Sequence, residues 1–140
     1  MENGYFDLQV NGYGGVDLNS DGITDDEIEQ MCAHLADDGV DGILATIITA
    51  PVPDMVRRIA RVVAAREARP AIRQRIAGIH IEDQLYPKRA SYHKGLKHMV
   101  SVDEMRVRIS AALDARRDPD FVIIARTEAR GAVGGSVQEM

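Results

Sequence analysis

Four short apolar stretches, each followed by or alternating with a segment of helical period, constrain this chain more than any other feature. Residues 5–10, YFDLQV, alternate apolar and polar side chains and read as a strand. GILATII at 42–48 is a continuous apolar run with β-branched members, as expected of a strand covered on both faces. IAGIHIE at 76–82 and FVIIA at 121–125 read as the third and fourth strands. Between them, Ile28, Met31, Cys32 and Leu35 follow helical spacing after a Thr24–Glu27 capping box, with Gly39 as the stop. Met55, Ile59, Val62, Val63 and Arg66 line one side of a second helix ended by Pro70. Ser101 and Glu104 make a second capping box, and Met105, Ile109, Ala112, Leu113 and Arg116 share one face of a third helix closed by Pro119. Strands that alternate with helices argue for an α/β chain with a parallel sheet. Residues 1–140 read as one such domain, since no linker or low-complexity segment interrupts them.

Composition narrows the partners. The net charge is −5, which argues against nucleic acid or an anionic membrane surface as the main partner. No apolar run approaches the roughly 20 residues that span a bilayer, and the N-terminus MENGYFDLQV does not read as a signal peptide. Cys32 is the single cysteine, so no internal disulfide forms and a reducing cytoplasm is the expected home. It sits on an apolar helix face and reads as core.

The polar residues collect at strand exits: Gln9 and Asn11, Thr46 and Thr49, His80 and Glu82, Arg126 and Glu128. In α/β folds the carboxyl ends of parallel strands build the ligand site. Alternation puts His80 and Glu82 on one face of their strand, where a carboxylate and an imidazole suit a divalent ion such as Zn²⁺; Asp83 would add a hard oxygen ligand for Mg²⁺. The plainer alternative makes His80 a hydrogen-bonded core residue and pairs Glu82 with Arg126. After this strand, DQLYPKRASYHKGLKHMV reads as a long loop. Its Lys88, Arg89, His93, Lys94, Lys97 and His98 make it basic, suited to an anionic carboxylate or phosphate or simply to solvent. Gly12, Gly14 and Gly15 lack the spacing of a dinucleotide or phosphate loop and read as a tight turn.

Two family resemblances meet at Glu82. Residues 5–82, through YFDLQVNGYGGVDLN, DGVDGILATIITA and IAGIHIE, resemble the start of N-acetylglucosamine-6-phosphate deacetylases of the amidohydrolase superfamily. That resemblance implies a metal-dependent hydrolase of an N-acetyl sugar phosphate, with Gln9 and Asn11 in the first-strand Q-x-N and Glu82 on the metal. The family's Gly-Pro-Phe after H-x-E is replaced here by Asp83-Gln84-Leu85. Residues 78–136, through GIHIEDQLYPKR, SYHKGLKHMVSVDEM and ARRDPDFVIIARTEARGAVGG, resemble the isocitrate lyase and phosphoenolpyruvate mutase superfamily. That one implies Mg²⁺-dependent cleavage or rearrangement of a 2-oxo or hydroxy acid. Glu82 would stand near the metal, Lys88 in the P-K segment, Arg126 on the substrate carboxylate, and Glu128 two residues beyond. The lyases' catalytic cysteine has no counterpart in Lys88-Arg89-Ala90-Ser91-Tyr92-His93. The chain therefore reads as a hybrid, deacetylase-like over 1–82 and lyase- or mutase-like over 83–140. Its expected fold is four parallel βα units, a partial (half) TIM barrel completed by dimerisation, with an open flavodoxin-like sheet as the structural alternative. A non-catalytic scaffold is the third reading.

Overall fold

The computed structural model describes residues 4–85 and 99–129. Four strands, β1 (Tyr5–Val10), β4 (Val40–Thr46), β5 (Ile76–Glu82) and β6 (Val122–Arg126), form one sheet in the order β1-β4-β5-β6. Every neighbouring pair in it is parallel. The helices are α1 (Asp25–Asp37), α2 (Val52–Ala68), α3 (Pro70–Arg75) and α4 (Val102–Ala115). A small antiparallel hairpin, β2 (Gly12–Tyr13) with β3 (Val16–Asp17), follows β1. Gly14 and Gly15 make its tight turn, as expected from the sequence: they adopt φ of 58° and 86°, which side chains with a Cβ rarely tolerate. The α/β class and the parallel half-barrel sheet expected from the sequence are thus present.

The α1 capping box forms in full. Thr24 Oγ1 accepts from the Glu27 amide at 3.2 Å, and Glu27 Oε2 accepts from the Thr24 amide at 2.8 Å. Ile28, Met31, Cys32 and Leu35 are buried as their spacing requires. At α4 only half of the box is present: Ser101 Oγ accepts from the Glu104 amide at 3.1 Å, while Glu104 Oε1 accepts from Arg108 instead.

Three sequence expectations need correction. Pro70 does not simply end a helix; α2 stops at Ala68 and Pro70 begins α3, where its fixed φ suits a first turn. The second strand starts two residues earlier than expected and ends at Thr46, leaving Ile47 and Ile48 in the connection to α2. On α4, Leu113 is exposed and Arg108 takes a buried place on the face shared with Ala112.

One core holds the helices to the sheet. Ile43, Ala45, Ile79 and Ile81 of the central strands pack with Ile28, Met31 and Leu35 of α1 and with Met55, Ile59 and Val62 of α2. These strand residues alternate with Gly42, Leu44, Thr46, Gly78, His80 and Glu82, which therefore face away from the helices. Register continues that second face onto β6, where Gly78 pairs with Val122, His80 with Ile124 and Glu82 with Arg126.

Candidate functional site at the carboxyl end of the sheet

The carboxyl ends of β4, β5 and β6 bring four predicted polar positions onto one face of the sheet, in two register pairs. Thr46 is the register partner of His80, and Glu82 is the register partner of Arg126. Glu82 is 3% exposed, and its Oε1 accepts from Thr49 Oγ1 at 3.1 Å. Thr49, in the β4–α2 connection, is itself fully buried. Arg126 donates to Glu128 Oε1 at 2.7 Å, and its side chain stays 42% exposed, so part of the guanidinium is open to a ligand.

Two buried polar atoms on this strand face have no partner, and Arg108 Nε of α4 is a third at this end of the sheet. Thr46 Oγ1 and His80 Nδ1 are both enclosed without a hydrogen bond. Thr46 as a whole is 5% exposed. An unmet buried polar atom costs roughly 1–3 kcal/mol, so native folds seldom keep one unless a ligand or water meets it. Burial pushes the His80 imidazole below its ordinary pKa; the positive Arg126 adds to this and Glu82 opposes it. The ring is thus held neutral near pH 7, the form that binds metals.

Asp83 goes elsewhere. Its Oδ2 accepts from Thr127 Oγ1 at 2.5 Å and its Oδ1 from the Glu128 amide at 3.0 Å, so it ties the exit of β5 to the exit of β6. Among the described residues, no group of three or more His, Cys, Asp or Glu side chains is placed to hold a metal ion. The described donors are Glu82 and His80. They do not make a closed zinc centre, which takes four protein ligands. Glu82 alone fits Mg²⁺, which is commonly held by one or two carboxylates with water and substrate filling its other positions, whereas the His80 imidazole suits softer divalent ions.

Gln9 and Asn11 lie at the end of β1, on the far side of β4 from Glu82, and both are exposed. Lys88 and His93, with the rest of the basic loop (Arg89, Lys94, Lys97 and His98), lie outside the described residues. The described ends of that loop are fastened to each other. Gln84 bridges Met99, and the Val100 amide donates to the Asp83 carbonyl at 2.7 Å.

Sequence reasoning missed two residues that shape this end. Arg108 on α4 is 3% exposed and donates to the carbonyls of Glu82 at 3.0 Å and Gln84 at 3.3 Å, fixing the strand exit. The signal was present: Arg108 interrupts the apolar row of Met105, Ile109 and Ala112 at helical spacing, where a charge needs a specific partner. Asn19 holds the other side, donating to the Thr46 carbonyl at 3.1 Å and accepting from the Ile48 amide at 2.8 Å. It sits in a polar loop sequence, and nothing local marks it.

No family model matches the chain. Over 70 residues it is 50% identical to 2-methylisocitrate lyase of Escherichia coli; the match covers 50% of this chain and 23% of the lyase. The chain thus spans under a quarter of that relative. Its fold matches phosphoenolpyruvate phosphomutase from Streptomyces platensis subsp. rosaceus with a TM-score of 0.60 and 27% identity, over 94% of this chain and 52% of the other. It matches N-acetyl-D-glucosamine-6-phosphate deacetylase from Mycobacterium smegmatis with a TM-score of 0.60 over 96% of this chain and 44% of the other, at 21% identity, a likeness of fold alone. Both resemblances read from the sequence are therefore found. The lyase one is carried by sequence and fold, the deacetylase one by fold.

Proposed function

We propose that the carboxyl end of the sheet is a half-site for a small anionic 2-oxo or hydroxy acid, held together with a divalent ion as in the lyase and mutase superfamily. One observation carries this reading. Glu82 and Arg126 are register partners on adjacent strands, so a carboxylate for a cation and a guanidinium for a substrate carboxylate stand side by side. The unpartnered Thr46 Oγ1 and His80 Nδ1 lie on the same face and offer further polar contacts. The identity to methylisocitrate lyase supports the choice of substrate class.

In this reading Glu82 holds the ion, Mg²⁺ in preference to Zn²⁺, with His80 beside it. A bound divalent ion would stabilise negative charge developing on a substrate oxygen. Arg126 orients the substrate carboxylate, and Glu128 fixes the guanidinium through their ion pair. Asp83 acts as a brace for the β6 exit rather than as a ligand. By the lyase resemblance Lys88 serves the reacting end, and His93 of the basic loop serves the substrate. A reducing, cytoplasmic setting fits the lone buried thiol of Cys32, whose pKa burial raises to about 11. Among the described residues no helix is long and apolar enough to cross a membrane.

A second reading makes the chain a deacetylase-like hydrolase of an N-acetyl amino-sugar phosphate. Gln9 and Asn11 favour it, since they stand at the same end of the same sheet as Glu82.

Calorimetric titration of Mg²⁺ and Zn²⁺ into the native chain and Glu82→Ala tests the shared claim. Loss of ion binding in the variant is expected, and equal binding by both would leave the strand-end residues as a scaffold. Pyruvate formed from a methylisocitrate-like acid supports the lyase reading; acetate released from an N-acetylhexosamine 6-phosphate supports the hydrolase.

A further inference from the structure

One face of the sheet is covered by the helices, and on the sheet the exposed large apolar side chains are confined to the two outer strands. Phe6 of β1 and Val122 and Ile124 of β6 are 51%, 46% and 36% exposed on the face away from the helices. Tyr5 and Leu8 of β1 are exposed further, at 76% and 62%. The central strands β4 and β5 expose no large hydrophobic residue. The two strands that expose apolar side chains are also the two with an unpaired backbone edge among the described residues. Such edges are templates for pairing with another chain.

The geometry of those edges selects the partner. All four strands run parallel, so the free edges of β1 and β6 have the same direction and lie on opposite sides of the sheet. A two-fold rotation about an axis along the strands keeps every strand parallel. It sets β6 of one copy beside β1 of the next, and does the same on the other side. Four strands become eight, the number that closes a parallel barrel, and no edge remains. The comparison with the mutase fits this count, since nearly the whole chain superposes on 52% of that structure.

We propose that two copies of this chain close one eight-stranded parallel barrel about a two-fold axis, and that Glu82 and Arg126 of one copy then share a mouth site with the partner's Gln9 and Asn11. The closure stands on the exposed faces and edges alone. The shared site rests on the half-site reading above. Arg126 ends β6, and Gln9 lies near the end of β1, so edge pairing of β6 with the partner's β1 brings the two polar ends together. Arg126 and Gln9, separated by β4 and β5 within one chain, become neighbours across the dimer, which would unite the polar ends of both family resemblances at one rim.

Mass and cross-linking test this without any ligand, so the result is independent of the metal titration. Light scattering on the 140-residue chain is expected to give twice the chain mass, and Ile124→Glu with Leu8→Glu the mass of one chain. A single-chain mass for the native protein, or an open series of larger species, overturns the proposal. For the pairing, Gln9→Cys chains are mixed with Arg126→Cys chains and treated with a short bismaleimide. Cys32 is buried and stays out of the reaction. Covalent dimers are expected in the mixture and not in either variant alone, because the two-fold sets like edges on opposite sides of the barrel. Dimers formed equally well by Gln9→Cys alone would mean that like edges meet, and would sink the closed barrel.

Discussion

The two ends of the same sheet are built on different terms. At the amino end, charge is buried and fully matched. Arg66 of α2 is 7% exposed, donates to the Ile76 carbonyl at 2.7 Å and to Asp118 at 2.6 Å, and lies 5.0 Å from the centre of the Phe121 ring. Arg73 of α3 adds a second bond to the same carboxylate oxygen at 2.9 Å, and the Asp120 amide meets the other oxygen at 3.0 Å. This clasp joins α2 and α3 to the turn before β6. At the carboxyl end, Thr46 Oγ1, His80 Nδ1 and Arg108 Nε remain enclosed without partners. One end spends its polar groups on holding the chain together, and the other keeps hydrogen-bonding capacity in reserve, as parallel α/β folds do where they bind ligands. The difference sets bonded charge against unmet polar atoms along the strand direction.

The comparison can be broken most forcefully at the amino end. Ile76 begins β5, is fully buried, and its carbonyl receives Arg66. Ile76→Ala is expected to cost about 2–5 kcal/mol, the usual range for removing a large aliphatic side chain from a core. Urea unfolding followed by circular dichroism measures it, and a loss below about 1 kcal/mol would mean that this end is not the structural one.

The clasp gives a smaller, pH-dependent effect. The guanidinium of Arg66 beside Asp118 holds its carboxyl below the usual carboxylate range, with the Asp120 amide acting in the same direction. A carboxylate whose pKa is lowered by folding adds stability above its unfolded pKa of about 3.9, and that contribution is lost as pH falls through the lower folded value. The native chain should therefore lose protection of the β6 amides to hydrogen exchange on acidification, and Asp118→Asn should flatten that part of the profile. An unchanged profile in Asp118→Asn would show that other carboxylates set the acid limit.

The smallest effect is expected at the carboxyl end. Thr46→Val keeps the shape of the side chain and removes an enclosed hydroxyl that bonds to nothing. Its stability should stay within about 0.5 kcal/mol of native or rise slightly, because no hydrogen bond is lost. Differential scanning calorimetry reads this directly. A loss above about 1 kcal/mol would place Thr46 with the structural residues and remove the contrast between the two ends.

Much of this was legible in the residues themselves. The apolar runs and capping signals give the four strands, α1 and α4, because strand and helix periods are local properties of the chain. The polar strand exits mark the end of the sheet where the candidate site lies, since alternation alone sets His80 and Glu82 on one face. Other features depend on distant partners. Arg66 could be placed on the apolar side of α2, but its match with Asp118 spans 52 positions and needs the packed chain. Asp83 carries the chemistry of a metal ligand and becomes a brace only because β6 brings Thr127 and the Glu128 amide beside it. Arg108 becomes a clamp on the β5 exit only when α4 lies across it. The sequence by itself determined which segments are strands and helices and which residue types crowd the strand ends, because propensity, capping and alternation act over a few residues. The tertiary structure alone decided which polar atoms meet and which are left unmet, because hydrogen bonding is directional and its partners come from strands and helices far apart in the chain.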